Sequence, residues 1–232
     1  MKKLDINQKT FNFLMNHSIE KEYKKGEFCF RGKEKLSSIY IMVSGRAIIY
    51  NLTHNGQRKI LYILGKGQIL NESVVSKQPS SVFCEVITDS KILQIPANIF
   101  LEAMKNDFDF NLAVIKSHER RIWRLSHQLK NTTGSTQMEK KLAAKIWKLA
   151  RDFGTQTDEG ILIAFPITIT FLADFLGTPR ETASRLCKIL SNEGLIRIQK
   201  NKQILVLDAD GLSDFYKKEK YGFVVLFFRL FF

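Results

Sequence analysis

The sequence predicts an α+β protein in which a β-rich half, a long helix and a smaller, mostly helical half follow one another along 232 residues. Three observations support this class. Short apolar runs separated by glycines fill residues 20–95, which is typical of antiparallel β structure with tight turns. Residues 108–131 show the helical spacing of apolar side chains. Residues 137–207 combine three helix signals with short extended runs.

The strands of the first half are predicted where β-branched and aromatic residues cluster. Asn55-Gly56 is a strong hairpin signal, because this pair suits the left-handed backbone of a two-residue turn. Pro96 closes the last run, because proline cannot donate a hydrogen bond to a sheet. The predicted strands lie at residues 28–30, 39–43, 47–50 and 60–64, with one or two more at 83–95.

The long helix carries an apolar seam that favours the pairing of two chains. The seam residues recur at alternating spacings of three and four, as in a two-stranded coiled coil, and the opposite face is charged. The alternative, that the helix packs on its own β domain, remains open. The seam consists of Ile115, His118, Ile122, Leu125 and Leu129, and the charged face of Lys116, Glu119, Arg120, Arg121 and Arg124.

Residues 168–191 predict two helices joined by a tight turn. Thr168 is a good N-cap for the first helix, and Gly177 supplies the left-handed residue that ends it. Thr178 is a good N-cap for the second helix, and Pro179 suits its first position. Glu181 stands three residues after Thr178, which is the spacing of a capping box. The pattern is that of a helix-turn-helix.

The outer face of the second helix suits the recognition of DNA bases. Arginine can bond bidentately to guanine, and glutamate can accept a hydrogen bond from the amino group of cytosine. Two alternatives compete: Glu181 is occupied as the capping partner of Thr178, or the charges form an ordinary solvated face. The residues predicted to contact bases are Arg180, Glu181, Ser184 and Arg185, opposite the inward-facing Ala183, Leu186 and Leu190.

The segment after this helix predicts a β-wing and favours the DNA interpretation over both alternatives. Residues 195–199 and 203–207 are strand-like, and the turn between them, Lys200-Asn201-Lys202, is basic. Such a turn suits contact with phosphate, which adds affinity without sequence information. The predicted phosphate contacts are Thr178, Lys188, Lys200 and Lys202.

The composition of the chain excludes fewer kinds of function than these motifs do. The net charge of +13 permits a polyanion partner, but the excess of cations is spread over both halves. Cys29, Cys84 and Cys187 lie far apart without metal-ligand spacing, so we expect no metal, no cofactor and no disulfide framework. No nucleophile–base pair points to an enzyme. No apolar leader follows Met1, which predicts a cytoplasmic protein. The apolar tail 222–232 is too short to span a bilayer.

The whole order of elements resembles the Crp/Fnr family of bacterial transcription regulators, over roughly residues 20–215. The most specific matches are Leu172-Ala173-Asp174, the segment from Gly177 to Arg185, and Glu193-Gly194-Leu195-Ile196. The resemblance implies that Glu181, Ser184 and Arg185 contact a half-site containing TGA, and that Arg180 adds a guanine contact. It also implies a palindromic site bound by a homodimer.

The resemblance places the family's phosphate-binding cassette at residues 67–81. Members that bind cyclic AMP show Gly-Glu and, later, Arg-Ser or Arg-Thr in this cassette, and the arginine neutralises the cyclic phosphate. Here Glu72 is kept, but Asn71 replaces the glycine and Ser80-Ser81 replaces the Arg-Ser pair. We therefore expect a small organic effector other than cyclic AMP, seated between the β domain and the long helix. The predicted effector contacts are Glu72, Ser80, Ser81 and Ile122.

The fold class is thus a cyclic-nucleotide-binding-like β-roll, a long dimerisation helix and a C-terminal winged helix-turn-helix. The expected partners are double-stranded DNA, a second copy of the chain and the effector, with RNA polymerase as a further candidate and no membrane. An alternative function is a sensor module that regulates a protein partner without binding DNA. The predicted domains are the sensor β-roll with flanking helices (1–107), the dimerisation helix (108–131), the DNA-binding domain (137–221) and a tail without an assigned role (222–232).

Overall fold

The computed structural model describes residues 7–71, 73, 75–76, 78–130 and 137–217, with the backbone alone at 129 and 130. The segment between the two predicted domains at 131–136, the tail at 222–232 and Glu72 lie outside the described residues. The chain divides into two units, Met1–Thr132 and Thr133–Phe232. The elements of the first unit are α1 (Gln8–Asn16), β1 (Ile19–Tyr23), β2 (Phe28–Phe30), β3 (Ser38–Ser44), β4 (Arg46–Leu52), β5 (Arg58–Gly65), β6 (Phe83–Val86), β7 (Ser90–Pro96), α2 (Ala97–Asn106) and α3 (Phe108–Lys130).

Two antiparallel sheets form the β part of the first unit. One has the strand order β1-β7-β3 and the other β2-β6-β4-β5. β4 and β5 form a hairpin in which Ile48 pairs with Ile63. Gly56, in the turn of this hairpin, has a φ of 72°, a backbone that glycine adopts without steric cost. The hairpin predicted at Asn55-Gly56 is confirmed, and so are the strands predicted between residues 28 and 95.

β1 is a strand that the search for apolar runs did not find. Four of its five residues are exposed, and only Tyr23 is buried. β1 lies at the edge of its sheet and pairs with β7 alone. Lys91 of β7 lies 3.5 Å from Glu20 and 3.1 Å from Glu22 of β1. A strand that keeps charged side chains in water at a sheet edge carries no apolar run by which to recognise it.

Two apolar clusters hold the first unit together. The first draws buried side chains from both sheets, including Phe30, Met42 and Leu64. The second joins the helices to the three-stranded sheet, and in it the rings of Phe100 on α2 and Phe110 on α3 lie 5.2 Å apart, edge to face. Burial of these aromatic side chains fixes the start of α3 against the β domain.

Asp107, between α2 and α3, connects α1 to the rest of the unit. Its carboxylate accepts hydrogen bonds from Asn7 Nδ2 and Thr10 Oγ1, both at 2.5 Å. It also accepts one from the main-chain N–H of Phe110 at 3.0 Å. These bonds, the Thr10 hydroxyl foremost, lower the pKa of Asp107 below its ordinary value.

The second unit consists of helices around a four-stranded sheet of order β10-β11-β9-β8. One face of its first helix is apolar and lies in the core, since Leu142, Ile146 and Leu149 are buried. β8, with the sequence Gly-Thr-Gln-Thr, was not predicted, because it has no apolar residue. The elements of this unit are α4 (Met138–Phe153), β8 (Gly154–Thr157), β9 (Gly160–Ile163), α5 (Ile169–Leu176), α6 (Arg180–Asn192), β10 (Ile196–Ile198), β11 (Ile204–Val206) and α7 (Ala209–Lys217).

Candidate nucleic-acid interface and sensor region

The first helix of the predicted helix-turn-helix, α5, begins and ends as the sequence predicts. The Thr168 hydroxyl accepts a hydrogen bond from the N–H of Phe171 at 3.0 Å and caps α5. Gly177 ends α5 with φ 74° and ψ 50°. The N–H groups of Gly177 and Thr178 both bond to the carbonyl of Ala173, at 2.7 and 3.1 Å. This closure directs the chain into α6 within two residues.

The start of α6 differs from the prediction. Pro179 stands at the N-cap position with ψ 150°, and α6 begins at Arg180 without a side-chain cap. The prediction that Thr178 caps this helix is therefore wrong. The N–H of Thr178 closes α5, and a residue before proline avoids the helical backbone, so the helix begins later than expected. Glu181 consequently lies two residues after the N-cap Pro179, not three. The alternative that its carboxylate completes a capping box is therefore wrong.

The four residues predicted to contact bases lie together on the first two turns of α6. Arg180, Glu181, Ser184 and Arg185 are all exposed. Among the residues that the structure describes, their side chains form no hydrogen bond or ion pair. The inward face is also as predicted, with Ala183, Leu186 and Leu190 buried. The outer face of α6 thus presents two guanidinium groups, a carboxylate and a hydroxyl to solvent.

The wing has a tight basic turn. The N–H of Gln199 bonds to the carbonyl of Gln203 at 2.8 Å, and that of Lys202 to the carbonyl of Gln199 at 2.9 Å. Lys202 has a φ of 64°, which lets the chain reverse within these residues. The carbonyl of Lys202 accepts a hydrogen bond from Ile167, just before α5, at 2.6 Å. Lys200 and Lys202 are exposed at the tip, Lys188 is exposed on α6, and Thr178 is half-buried.

A groove of about 590 Å³ separates α6 from the wing. Arg197, on β10, lies at this groove, and its Nη1 donates to Glu159 Oε2 at 2.7 Å. Sequence reasoning missed both residues, although the exposed position of Arg197 in the wing strand was a usable signal. The groove is lined by Ile169, Ser184, Cys187, Lys188, Ser191, Ile196, Arg197, Ile198 and Leu207.

In the sensor region, Asn71 connects the cassette to β3. Its side chain is buried, with Oδ1 accepting from the N–H of Tyr40 at 2.7 Å and Nδ2 donating to the carbonyl of Ser38 at 2.9 Å. A glycine at this position could make neither bond. The replacement of glycine by Asn71 therefore has a structural role in fixing this end of the cassette.

The predicted effector contacts that the structure describes, Ser80, Ser81 and Ile122, differ in their surroundings. The Ser80 hydroxyl is buried and donates to the carbonyl of Val82 at 2.9 Å, within its own turn. Ser81 is exposed. Ile122 is 65% exposed on α3, so it does not pack on the β domain of its own chain. Ser80 thus faces its own turn and Ile122 faces solvent in the single chain, and their contact with an effector stays a prediction.

One face of α3 instead docks on the β domain, and Arg121 lies at its centre. Arg121 Nη1 donates to the main-chain oxygen of Asn71 at 2.5 Å, and the Tyr62 hydroxyl donates to the main-chain oxygen of Arg121 at 3.2 Å. Gln128 Nε2 donates to the carbonyl of Leu61 at 3.0 Å. Leu125 packs against the apolar cluster shared by the two sheets.

Two side chains of α3 therefore contact their own chain: Arg121 contacts the cassette, and Leu125 packs on the β domain. Leu125 is only half-buried by this packing, so its place in the dimer seam stays a prediction. Ile115 and Ile122 are 47% and 65% exposed, and Trp123 is 58% exposed. His118 is half-buried, and the side chain of Leu129 lies outside the described residues.

Cys84 and Cys187 are buried, one in each unit. The half-buried Cys29 packs against the same apolar cluster as Cys84. Burial raises the pKa of the Cys187 thiol to about 11. Within the described ranges, no group of three His, Cys, Asp or Glu side chains could hold a metal ion. No helix in those ranges is both long and apolar enough to cross a membrane.

Comparison with known proteins supports both units. Residues 20–107 match the family described as the cyclic nucleotide-binding domain, and residues 140–215 match the Crp-like helix-turn-helix domain. The chain is 25% identical over 197 residues to the probable transcriptional regulator flp of Lacticaseibacillus casei, covering 84% of this chain and 86% of that protein. It is 22% identical over 193 residues to a CRP-like cAMP-activated global transcriptional regulator of Mycobacterium tuberculosis, covering 83% and 85%.

The fold has a close counterpart among solved structures. A mutant of CooA from Carboxydothermus hydrogenoformans superposes with a TM-score of 0.75 at 20% identity, covering 93% of this chain and 98% of that one. Three findings agree with one another: two domains match in the expected order, the relatives regulate transcription, and α6 has an exposed polar face. The chain belongs to the Crp/Fnr family of DNA-binding transcription regulators.

Proposed function

We propose that the chain binds a palindromic DNA site with TGA half-sites as a homodimer, under the control of a small organic effector other than cyclic AMP. The observation that carries the DNA part is the outer face of α6. Arg180, Glu181 and Arg185 are exposed there, and none has a partner among the described residues. Unpaired charges on the first turns of such a helix are available to base edges in the major groove.

The chemistry of these side chains supports a TGA half-site. Arg185 and Arg180 can each donate two hydrogen bonds to O6 and N7 of a guanine, and Glu181 can accept from the amino group of a cytosine. The loss of the capping box matters here, because the Glu181 carboxylate has no competing acceptor role at the helix start. Ser184 can serve as donor or acceptor to either strand.

The homodimer is supported by the side of α3 that the β domain leaves uncovered. Ile115 and Ile122 are seven residues apart and both exposed, so they lie on the same side of the helix. The exposed Trp123 adjoins them. Exposed large apolar side chains along one helix mark an interaction surface, and a palindromic site demands two-fold symmetry in the protein.

An effector other than cyclic AMP is supported by the cassette. The Mycobacterium relative is named as cAMP-activated, but here Ser80 replaces the arginine that would neutralise the cyclic phosphate, and its hydroxyl bonds within its own turn. The contact between Arg121 and the carbonyl of Asn71 joins the cassette directly to α3. An effector that displaces the cassette would therefore act on the helix that we propose as the dimer interface.

Selection of bound sequences from random duplex DNA tests this proposal. The full-length chain is incubated with the pool, with and without a small-molecule extract of cells, and bound DNA is sequenced. We expect a palindrome with TGA half-sites about one helical turn apart. Arg185→Ala, processed in parallel, should lose preference at one base pair of each half-site. Enrichment of no palindrome under either condition would refute the proposal, and enrichment that the extract leaves unchanged would refute the effector.

A further inference from the structure

We propose that Arg197 binds a DNA phosphate in the groove between α6 and the wing, and that Glu159 competes with that phosphate for the guanidinium group. This inference rests on the proposed function, since it assumes that α6 enters the major groove. It adds a phosphate site that the motif does not identify and an acidic residue that restrains it.

The position of the groove relative to α6 supplies the first argument. Ser184, which belongs to the base-contacting face, also lines the groove, as do Lys188 and Arg197. The major groove of DNA is about 12 Å wide, and a helix with its side chains is about 10–12 Å across. A helix that fills the major groove therefore has a sugar–phosphate strand along its flank. On the wing side of α6, that flank is this groove.

The charges of the groove supply the second argument. Lys188 and Arg197 contribute the two cations, and Ser184 and Ser191 contribute hydroxyl groups, while no acidic side chain of the described part of the chain lines it. The remaining lining is apolar and offers no competing acceptor side chain, so a charge-assisted bond between guanidinium and phosphate can form there. Arginine suits this role because its planar group can donate two parallel hydrogen bonds to phosphate oxygens.

Glu159 is placed beside Arg197 by the turn between β8 and β9. The Thr157 hydroxyl donates to the carbonyl of Gly160 at 2.8 Å and closes this turn. Gly160 has a φ of 136°, and a Cβ there would lie 2.2 Å from the carbonyl oxygen of Val206 on β11. Only glycine lets the turn approach β11 this closely, and that approach brings the Glu159 carboxylate within 2.7 Å of Arg197.

The ion pair between these residues is suited to exchange. The side chains of Arg197 and Glu159 are 56% and 65% exposed, and an exposed pair of this kind contributes little to stability. A phosphate that enters the groove offers Arg197 an equivalent anion. Glu159 then faces a phosphate at short range, so its charge opposes binding after it has lost its partner.

The experiment measures the affinity of the full-length chain for a labelled duplex carrying the selected palindrome, and for a scrambled duplex, at several salt concentrations. Arg197→Ala should weaken binding to both duplexes and reduce the slope of log affinity against log salt by about 0.9 for each protomer. Glu159→Gln should bind both duplexes about two- to five-fold more tightly at low salt. Arg151→Ala, which removes the same charge from α4, is the control and should leave the slope less affected.

The opposite signs of the two variants separate this inference from a structural ion pair. If the pair only stabilised the fold, Arg197→Ala and Glu159→Gln would both impair binding and lower the melting temperature. The double variant should bind more weakly than Glu159→Gln, because it lacks the guanidinium group that holds the phosphate. Weaker binding by Glu159→Gln, or an unchanged salt slope for Arg197→Ala, would overturn the inference while wild-type binding upholds the proposed function. A wild-type chain that binds neither duplex overturns both.

Discussion

The guanidinium group of Arg121, on α3, donates a hydrogen bond from Nη1 to the main-chain oxygen of Asn71 at 2.5 Å, across 50 residues of chain. Asn71 in turn uses both ends of its side chain to hold the main chain of β3. The long helix, the cassette and the three-stranded sheet are therefore joined through two neighbouring polar side chains. The same helix presents Ile115 and Ile122 to solvent.

Arg121→Ala should lower the free energy of unfolding of the first unit by about 1.5–3 kcal/mol, the usual contribution of a hydrogen bond to a charged group. The sequence has two tryptophans, so a Trp147→Phe background leaves Trp123 on α3 as the reporter for urea unfolding. Arg120→Ala is the matched control, because Arg120 is exposed and bonds only along its own helix, to Lys116. Equal destabilisation by the two variants would contradict the proposed importance of the Asn71 contact.

The stability of the first unit should fall in acid through Asp107. Its hydrogen bonds, led by that from the Thr10 hydroxyl, lower its pKa in the folded state. Because this pKa is lowered, the ionised carboxylate of Asp107 stabilises the folded state at pH values above its pKa of about 4 in the unfolded chain. This stabilisation is lost as the pH falls through the pKa of Asp107 in the folded state. Unfolding curves of wild type and Asp107→Asn should differ at pH 7 and converge at the acid end. Asp109→Asn, on the neighbouring turn, should follow the wild type; a constant difference for Asp107→Asn at all pH values would refute this explanation.

Thr168 and Thr178 provide a paired test of the turn between α5 and α6. Thr168→Ala removes a cap that the structure shows and should lower the stability of the second unit by about 1 kcal/mol. Thr178→Ala should change stability much less, because α6 has no side-chain cap. Thermal or urea unfolding in a Trp123→Phe background reports on this unit through Trp147. A larger loss for Thr178→Ala would mean that its hydroxyl caps α6 after all.

Arg185→Ala and Lys200→Ala should affect DNA binding in different ways. Loss of Arg185 should cost about 1–3 kcal/mol with the selected palindrome and relax the preference at one base pair. Loss of Lys200 should weaken binding to all duplexes alike and reduce the salt slope by about 1 for each protomer. Titrations with the palindrome, its single-base variants and a scrambled duplex separate these outcomes. Uniform weakening by Arg185→Ala would place this residue at phosphate instead of at a base.

Sequence patterns predicted the elements that carry apolar periodicity or turn chemistry. The hairpin at Asn55-Gly56, the capped α5 and its terminal Gly177 all appear where they were expected, because short-range sterics determine them. β1 and β8 were missed, because exposed strands show no apolar run. The start of α6 was predicted one residue too early, because Thr178 precedes a proline and closes α5 through its N–H, so the helix begins after Pro179.

Some residues of the candidate site could be predicted from the sequence and others could not. The outer residues of α6 follow from helical periodicity, so Arg180, Glu181 and Arg185 could be identified before the fold was known. Arg121, Asn71 and Glu159 could not, because their partners lie 50, 31 and 38 residues away. Contacts of this range depend on how sheets and helices pack, and a linear pattern carries no signal for them.

Arg121 bonds to the peptide backbone at Asn71, not to a side chain. Every amino acid supplies that carbonyl, so the side chains of the cassette can change without removing the acceptor. The side chains that would contact a ligand are therefore separate from the main-chain atom that joins the cassette to α3. If the proposed effector binds at the cassette, side chains there can be varied to change its binding while the hydrogen bond to α3 is retained.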